Sequence, residues 1–264
     1  MGCTAPKPST ENIIAIRIVN GHIEKKDKVR YNKDGTIDKR KCNKKSGESS
    51  EVFAFKTKEE IEAMLKVFDR YIERAQTPYK KQLAYRNKML FLIGINLGIR
   101  ASDLRTLRWS FFFDESGDFK DCYVLQPKKQ RKQGKFVKLY FNQTVKKTIL
   151  DYTRMYQIDD INELLFPSQK GSAITEHRLS TIIKDTAKEA KIKQNVGSHS
   201  LRKTWGFWCW HEAEDKNKAV IILQKCFNHD RSLTTLKYIG ILDEEISDMY
   251  NSIELGLDFL EKNI

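Results

Sequence analysis

Three segments carry residues whose types and spacing could do chemistry. Gly98-Ile99-Arg100-Ala101-Ser102-Asp103-Leu104 comes first. His199-Ser200-Leu201-Arg202 follows in the last third of the chain. Asn228-His229-Asp230 then precedes Tyr238, which stands nine residues after His229 and just beyond Thr234-Thr235. A guanidinium presents a planar fork matched to phosphate and stays protonated. A phenol that loses its proton is a nucleophile, and an imidazole titrates near neutrality, where proton transfer is useful. At a helix start His199 and Arg202 would share a face. Each residue alone has an ordinary explanation: Arg100 as a surface cation, the histidines as satisfied core groups, Tyr238 as packing beside Leu236 and Ile239. What calls for a chemical reading is that all the positions are filled together.

Taken in order, the set resembles the tyrosine recombinase family of phage integrases, transposon integrases and Xer-type recombinases. That family's signature is a Gly-x-Arg-x-x-(Glu/Asp)-Leu segment, a lysine on a β-hairpin, His-x-Leu-Arg, a Gly-His pair, and a tyrosine after Thr-Thr. The likeness runs over residues 57–240. It implies a tyrosine recombinase catalytic-domain-like fold, mainly α with a small antiparallel β-sheet (α+β). It also implies DNA cleavage and rejoining through a 3′-phosphotyrosyl link to Tyr238. Arg100 and Arg202 would clamp the phosphate, and preorganised donors of this kind usually supply the largest catalytic contribution. His229 would donate to a nonbridging oxygen, and the resemblance gives His199 the role of general base. It places the acid that protonates the leaving 5′-oxygen on a hairpin turn. Lys132-Gln133-Gly134-Lys135 matches that turn, so Lys132 is the choice, with Lys129 and Lys135 as rivals. Asp103 is expected to orient its neighbours through a hydrogen bond.

Two departures from the pattern matter. Phe227-Asn228-His229 stands where Leu-Gly-His is usual, so the turn must be reached without glycine, and asparagine tolerates left-handed geometry better than most residues. The family also places a larger helical DNA-clamping domain before the catalytic one than residues 1–54 could form. That bears on site specificity and strand exchange more than on cleavage.

The formal net charge of +13 over 264 residues suits a polyanionic partner, and double-stranded DNA is the expected one. Cys3, Cys42, Cys122, Cys209 and Cys226 are odd in number and lack metal-ligand spacing, as in a reduced, cytoplasmic protein. No cofactor or metal is expected. No apolar run approaches a membrane span, and Pro6 breaks the myristoylation pattern that Met1-Gly2 begins.

The elements that must position these residues follow from periodicity. Residues 1–54 form a short basic segment, read as a β-hairpin or an arm, with a strand around Ile13 to Val19 and a turn at Asn32-Lys33-Asp34-Gly35. A catalytic domain with a tail helix occupies 55–264. Thr57 and Glu60 form a capping box, and Ile61, Met64, Leu65, Phe68 and Ile72 follow at helical spacing. A more apolar helix runs from Leu83 to Leu97 and ends at Gly98. A short helix is expected over 102–108, and strands over 110–119, 123–126 and 136–141. Helices then cover roughly 144–156, 176–190, 199–213, 217–226, 232–239 and 243–261. Trp205, Trp208 and Trp210 read as core or cleft wall. The last helix is amphipathic and is expected to dock on a neighbouring protomer, giving a homotetramer on DNA. A type IB topoisomerase-like enzyme and a non-catalytic DNA-binding regulator are the alternatives.

Overall fold

A computed structural model describes residues 51–128, 134, 136–154 and 158–252, together with the backbone of residues 16–19 and 22–25. The chain divides into two units, residues 1–50 and 51–264. In the first, β1 (Ile16–Val19) pairs antiparallel with β2 (His22–Lys25), Ile18 opposite Ile23. The turn expected at Asn32 to Gly35 lies outside the described residues.

The second unit begins with α1 (Lys58–Glu73), whose capping box forms as its sequence requires: Thr57 Oγ1 accepts from the Glu60 amide at 3.2 Å. Met64, Val67, Phe68 and Ile72 make its buried face. The next helix, α2 (Pro78–Leu97), starts earlier than its apolar stretch suggests, because Thr77 caps it and Pro78 opens it. Its apolar side chains, Met89, Leu90, Phe91 and Ile93 among them, sit at the centre of the main core. Gly98 ends α2 in the left-handed region at φ 60°, and a Cβ there would lie 2.2 Å from the Trp205 ring. Glycine is therefore required twice over, by dihedral and by space. A short α3 (Ala101–Leu104) follows, less than the stretch 102–108 that periodicity suggests.

Residues 110–119 do not form the expected strand. Trp109–Phe111 is one turn of 3-10 helix, and the chain reverses at Gly117 so that Phe113 bridges Phe119. Phe111, Phe112 and Phe113 are all buried. Three consecutive side chains cannot share one face of a strand, whose side chains alternate. The sheet is the two-stranded antiparallel pair β3 (Cys122–Leu125) and β4 (Val137–Tyr140). Helices α4 (Gln143–Thr153), α5 (Glu176–Glu189), α6 (Ser198–His211), α7 (Lys216–Phe227), α8 (Ser232–Ile239) and α9 (Leu242–Asn251) complete the unit. Among the described residues the unit is thus mainly helical with one small antiparallel sheet. The tail beyond residue 252 lies outside the described residues.

A second apolar cluster matters most for the site. Ala54, Phe207, Leu223, Phe227, Ile239 and Ile241 are buried together, with Trp205, Trp208, Trp210, Leu236 and Tyr238 packed against them. It joins α6, α7 and α8. Gly206 permits the close approach, because a Cβ there would come within 2.6 Å of the Phe227 ring.

Candidate active site

Arg100 stands at the N-cap of α3 with extended backbone, just after the left-handed Gly98. Arg202 projects from the first half of α6 and is buried. Both guanidiniums reach the C-terminal end of α7. Arg100 Nη2 donates to the Phe227 carbonyl at 3.2 Å, and Arg202 Nη2 to that of Cys226 at 3.4 Å. Helix C-termini leave carbonyls without partners and carry partial negative charge, so two cations are welcome there. Arg202 Nη1 also donates to the Gly98 carbonyl at 2.5 Å, tying α6 to the turn that launches Arg100. The guanidinium lies 4.5 Å from the Phe227 ring centroid, a cation–π contact.

Burial lowers the Arg202 pKa to about 10, and the nearby charge of Arg100 adds to the shift. Arg202 remains a cation at neutral pH. The two like charges oppose one another, and an anion between them would relieve the repulsion. A cavity of about 320 Å³ opens beside them, walled by Arg100, Asp103, Arg202, Trp205 and residues of both sheet strands.

His229 and Tyr238 complete the cluster. Asn228 reaches the left-handed region at φ 55°, so the turn before His229 is made without glycine. The His229 and Tyr238 rings are 5.3 Å apart and nearly perpendicular, and Phe227 lies 5.4 and 5.2 Å from them. Thr235 is fully buried, and its Oγ1 lies 3.0 Å from His229 Nδ1. Burial lowers the His229 pKa, and the charges of Arg202 and Arg100 lower it further. Its imidazole is neutral at pH 7. Burial raises the Tyr238 pKa, against the opposing pull of Arg202 and Arg100. The phenol keeps its proton at neutral pH.

Of the six residues singled out by sequence, Arg100, Arg202, His229 and Tyr238 gather around Phe227. His199 is exposed in the first turn of α6, three residues before Arg202. Lys132 and its rivals Lys129 and Lys135 lie outside the described residues. Asp103 is buried, and its Oδ1 accepts from the Lys128 amide at 3.0 Å. The carboxylate therefore anchors the base of the loop between β3 and β4 to the helix that follows Arg100. Thr235 and Phe227 take part in ways that residue type did not announce. Thr235 lies in the Thr-Thr pair before Tyr238, and its hydroxyl was the available signal. Among the described residues, no group of three or more His, Cys, Asp or Glu is placed to hold a metal ion, and no helix is long and apolar enough to cross a membrane.

Residues 55–245 match the model of the phage integrase family. The Probable integrase/recombinase YoeC of Bacillus subtilis (strain 168) is 29% identical over 180 residues, covering 67% of this chain and 90% of that protein. Tyrosine recombinase XerH of Helicobacter pylori is 25% identical over 190 residues, covering 71% of this chain but only 48% of XerH. Among solved structures, XerA recombinase superposes with a TM-score of 0.54 at 18% identity, over 79% of this chain and 65% of that one. XerH bound to its palindromic difH substrate, after cleavage, gives 0.51 at 21% identity, over 77% and 55%. At these identities the structural likeness speaks to the fold.

Proposed function

We propose that this chain, which belongs to the phage integrase family, is a tyrosine-type site-specific recombinase that cuts and rejoins double-stranded DNA. The observation that carries the reading is the convergence of Arg100, Arg202, His229 and Tyr238 at the C-terminal end of α7. In the proposed reaction the Tyr238 oxygen attacks the scissile phosphorus and its proton passes to His199. The two arginines and the neutral His229 bind the nonbridging oxygens as charge builds there. Lys132 protonates the departing 5′-oxygen, leaving a 3′-phosphotyrosyl bond. An incoming 5′-hydroxyl then reverses the sequence. The phosphodiester energy is retained in the covalent intermediate, so no ATP is consumed.

Relatives named as integrase/recombinase and tyrosine recombinase support site-specific recombination over the topoisomerase and regulator alternatives. The net charge of +13 supports a DNA partner. Helix α9 supports an assembly: Ile246, Met249 and Tyr250, spaced for one helical face, are exposed. Docked on a neighbouring protomer, that face would give a head-to-tail contact able to close a ring of four on two duplexes. The test is covalent capture of nicked DNA on a denaturing gel. The wild-type chain forms an adduct and Tyr238→Phe forms none while still binding DNA; an adduct with the phenylalanine variant rejects the reading.

A further inference from the structure

The Tyr238 ring has a further neighbour that the reaction above does not use. Lys203 directly follows Arg202 on α6, and its Nζ lies 5.4 Å from the Tyr238 ring centroid. With Phe227 and His229 at 5.2 and 5.3 Å, it holds the phenol between an aromatic edge, an imidazole and a cation. Lys203 is buried, only 9% of its side chain being exposed, and its Nζ lies 3.0 Å from Glu51 Oε1. Glu51 opens a strap, residues 51–56, that is stitched to the same region. The Phe55 amide donates to Thr204 Oγ1 at 2.9 Å, and Trp208 Nε1 to the Phe55 carbonyl at 3.0 Å. Lys56 Nζ donates at 2.8 Å to the carbonyl of Gly240, the left-handed residue that closes α8. The strap thus holds both the cation beside the nucleophile's ring and the end of the nucleophile's helix.

Stability alone does not account for a lysine at this position. Its partner Glu51 is exposed over 46% of its side chain, and ion pairs with a solvent-exposed member contribute little to stability. A cation over an aromatic ring, by contrast, attracts the ring's face and favours one orientation of it.

We propose that Lys203, held by Glu51, is a positioning residue for Tyr238, keeping its ring in the orientation from which the phenol attacks. The proposal rests on the reading of Tyr238 as the nucleophile. Small displacements of a reacting group cost large factors in rate, so the effect belongs in the chemical step and not in DNA binding.

Two readouts on the full chain test it. The first needs no DNA: the ring-carbon NMR resonance of Tyr238, assigned by its loss in Tyr238→Phe. Lys203→Met, which keeps the length and removes the charge, moves this resonance, and Lys203→Arg restores it. The second is the rate of covalent adduct formation at saturating DNA, on duplexes trapped from a randomised nicked pool by the wild type. Lys203→Met slows this rate about tenfold or more with DNA affinity unchanged, and Lys203→Arg recovers most of it. A wild-type resonance together with a wild-type rate in Lys203→Met overturns the proposal, as does a rate loss that Lys203→Arg fails to rescue. If Lys203→Met does not fold, Glu51→Gln decides: it slows adduct formation at saturating DNA, and an unchanged rate overturns the proposal. A wild-type chain that traps no duplex overturns the nucleophile reading instead, and the NMR arm still reports on Lys203.

Discussion

His229 Nδ1 lies 3.0 Å from the Oγ1 of the fully buried Thr235, two residues joined across the turn that leads into α8. If the threonine hydroxyl donates to Nδ1, the ring proton of the neutral imidazole is fixed on Nε2, the atom then free to donate to a phosphate oxygen. Partners of this kind commonly set tautomer and ring orientation.

Thr235→Val keeps the shape and deletes the hydroxyl. It is expected to slow cleavage about tenfold or more, as loss of such orienting partners does elsewhere, while DNA affinity stays near that of the wild type. Single-turnover adduct formation beside a gel-shift titration measures both. A full cleavage rate would show that the contact does not orient His229 for chemistry.

The depressed pKa of His229 and the raised pKa of Tyr238 act on stability in opposite pH ranges. For His229 the folded pKa lies below the ordinary 6.5, so the unfolded chain takes up the proton first. Its contribution is present above pH 6.5 and is lost as pH falls through the folded value. For Tyr238 the folded pKa lies above the ordinary 10.0, so its contribution is present below pH 10 and is lost as pH rises through the folded value. Thermal unfolding midpoints should therefore fall more steeply on acidification in the wild type than in His229→Asn. The near-ultraviolet phenolate signal that Tyr238→Phe removes should appear only above pH 10. Tyr238 titrating near neutrality would contradict the burial argument, and with it the need for a general base.

Lys132 is proposed as the acid for the leaving oxygen. Lys132→Ala should cleave ordinary DNA slowly and recover on a 5′-phosphorothiolate substrate, whose sulfur leaves without a proton. Rescue of Lys129→Ala in place of Lys132→Ala would move the acid along the loop. Asp103→Ala should slow cleavage of ordinary DNA in the same direction, because it removes the oxygen that accepts from the Lys128 amide at the start of that loop.

Local signals in this sequence translate into structure with little loss. The Thr57/Glu60 box, the left-handed Gly98 and the left-handed Asn228 each follow from residue type and immediate neighbours. The four residues that cluster around Phe227 stand out in the sequence because their types and order are distinctive. What local pattern could not carry is pairing at a distance. Lys203 and Glu51 are 152 positions apart, and neither side chain announces the other. Thr235 stands in the Thr-Thr pair that the sequence marks, but its contact with His229 becomes evident only in the turn between α7 and α8. The aromatic run Phe111 to Phe113 looks like a strand by propensity, and only burial of all three rings forces the turn.

The exposed face of α9 leads to a prediction about assembly. Deleting residues 243–264 should leave single-site DNA binding nearly intact and abolish complexes of four protomers on paired sites. Sedimentation of the deletion variant with DNA tests this directly. Four-protomer complexes forming as readily as with the full chain would make the tail an intramolecular element.

In the proposed reaction Tyr238 becomes covalently joined to DNA. The most direct measurement is peptide mapping by mass spectrometry of the adduct trapped on a nicked duplex. One modified peptide, containing Tyr238 and carrying nucleotide through a 3′-phosphate, is expected. A modification on any other residue, or a 5′-phosphate linkage, would contradict that reaction.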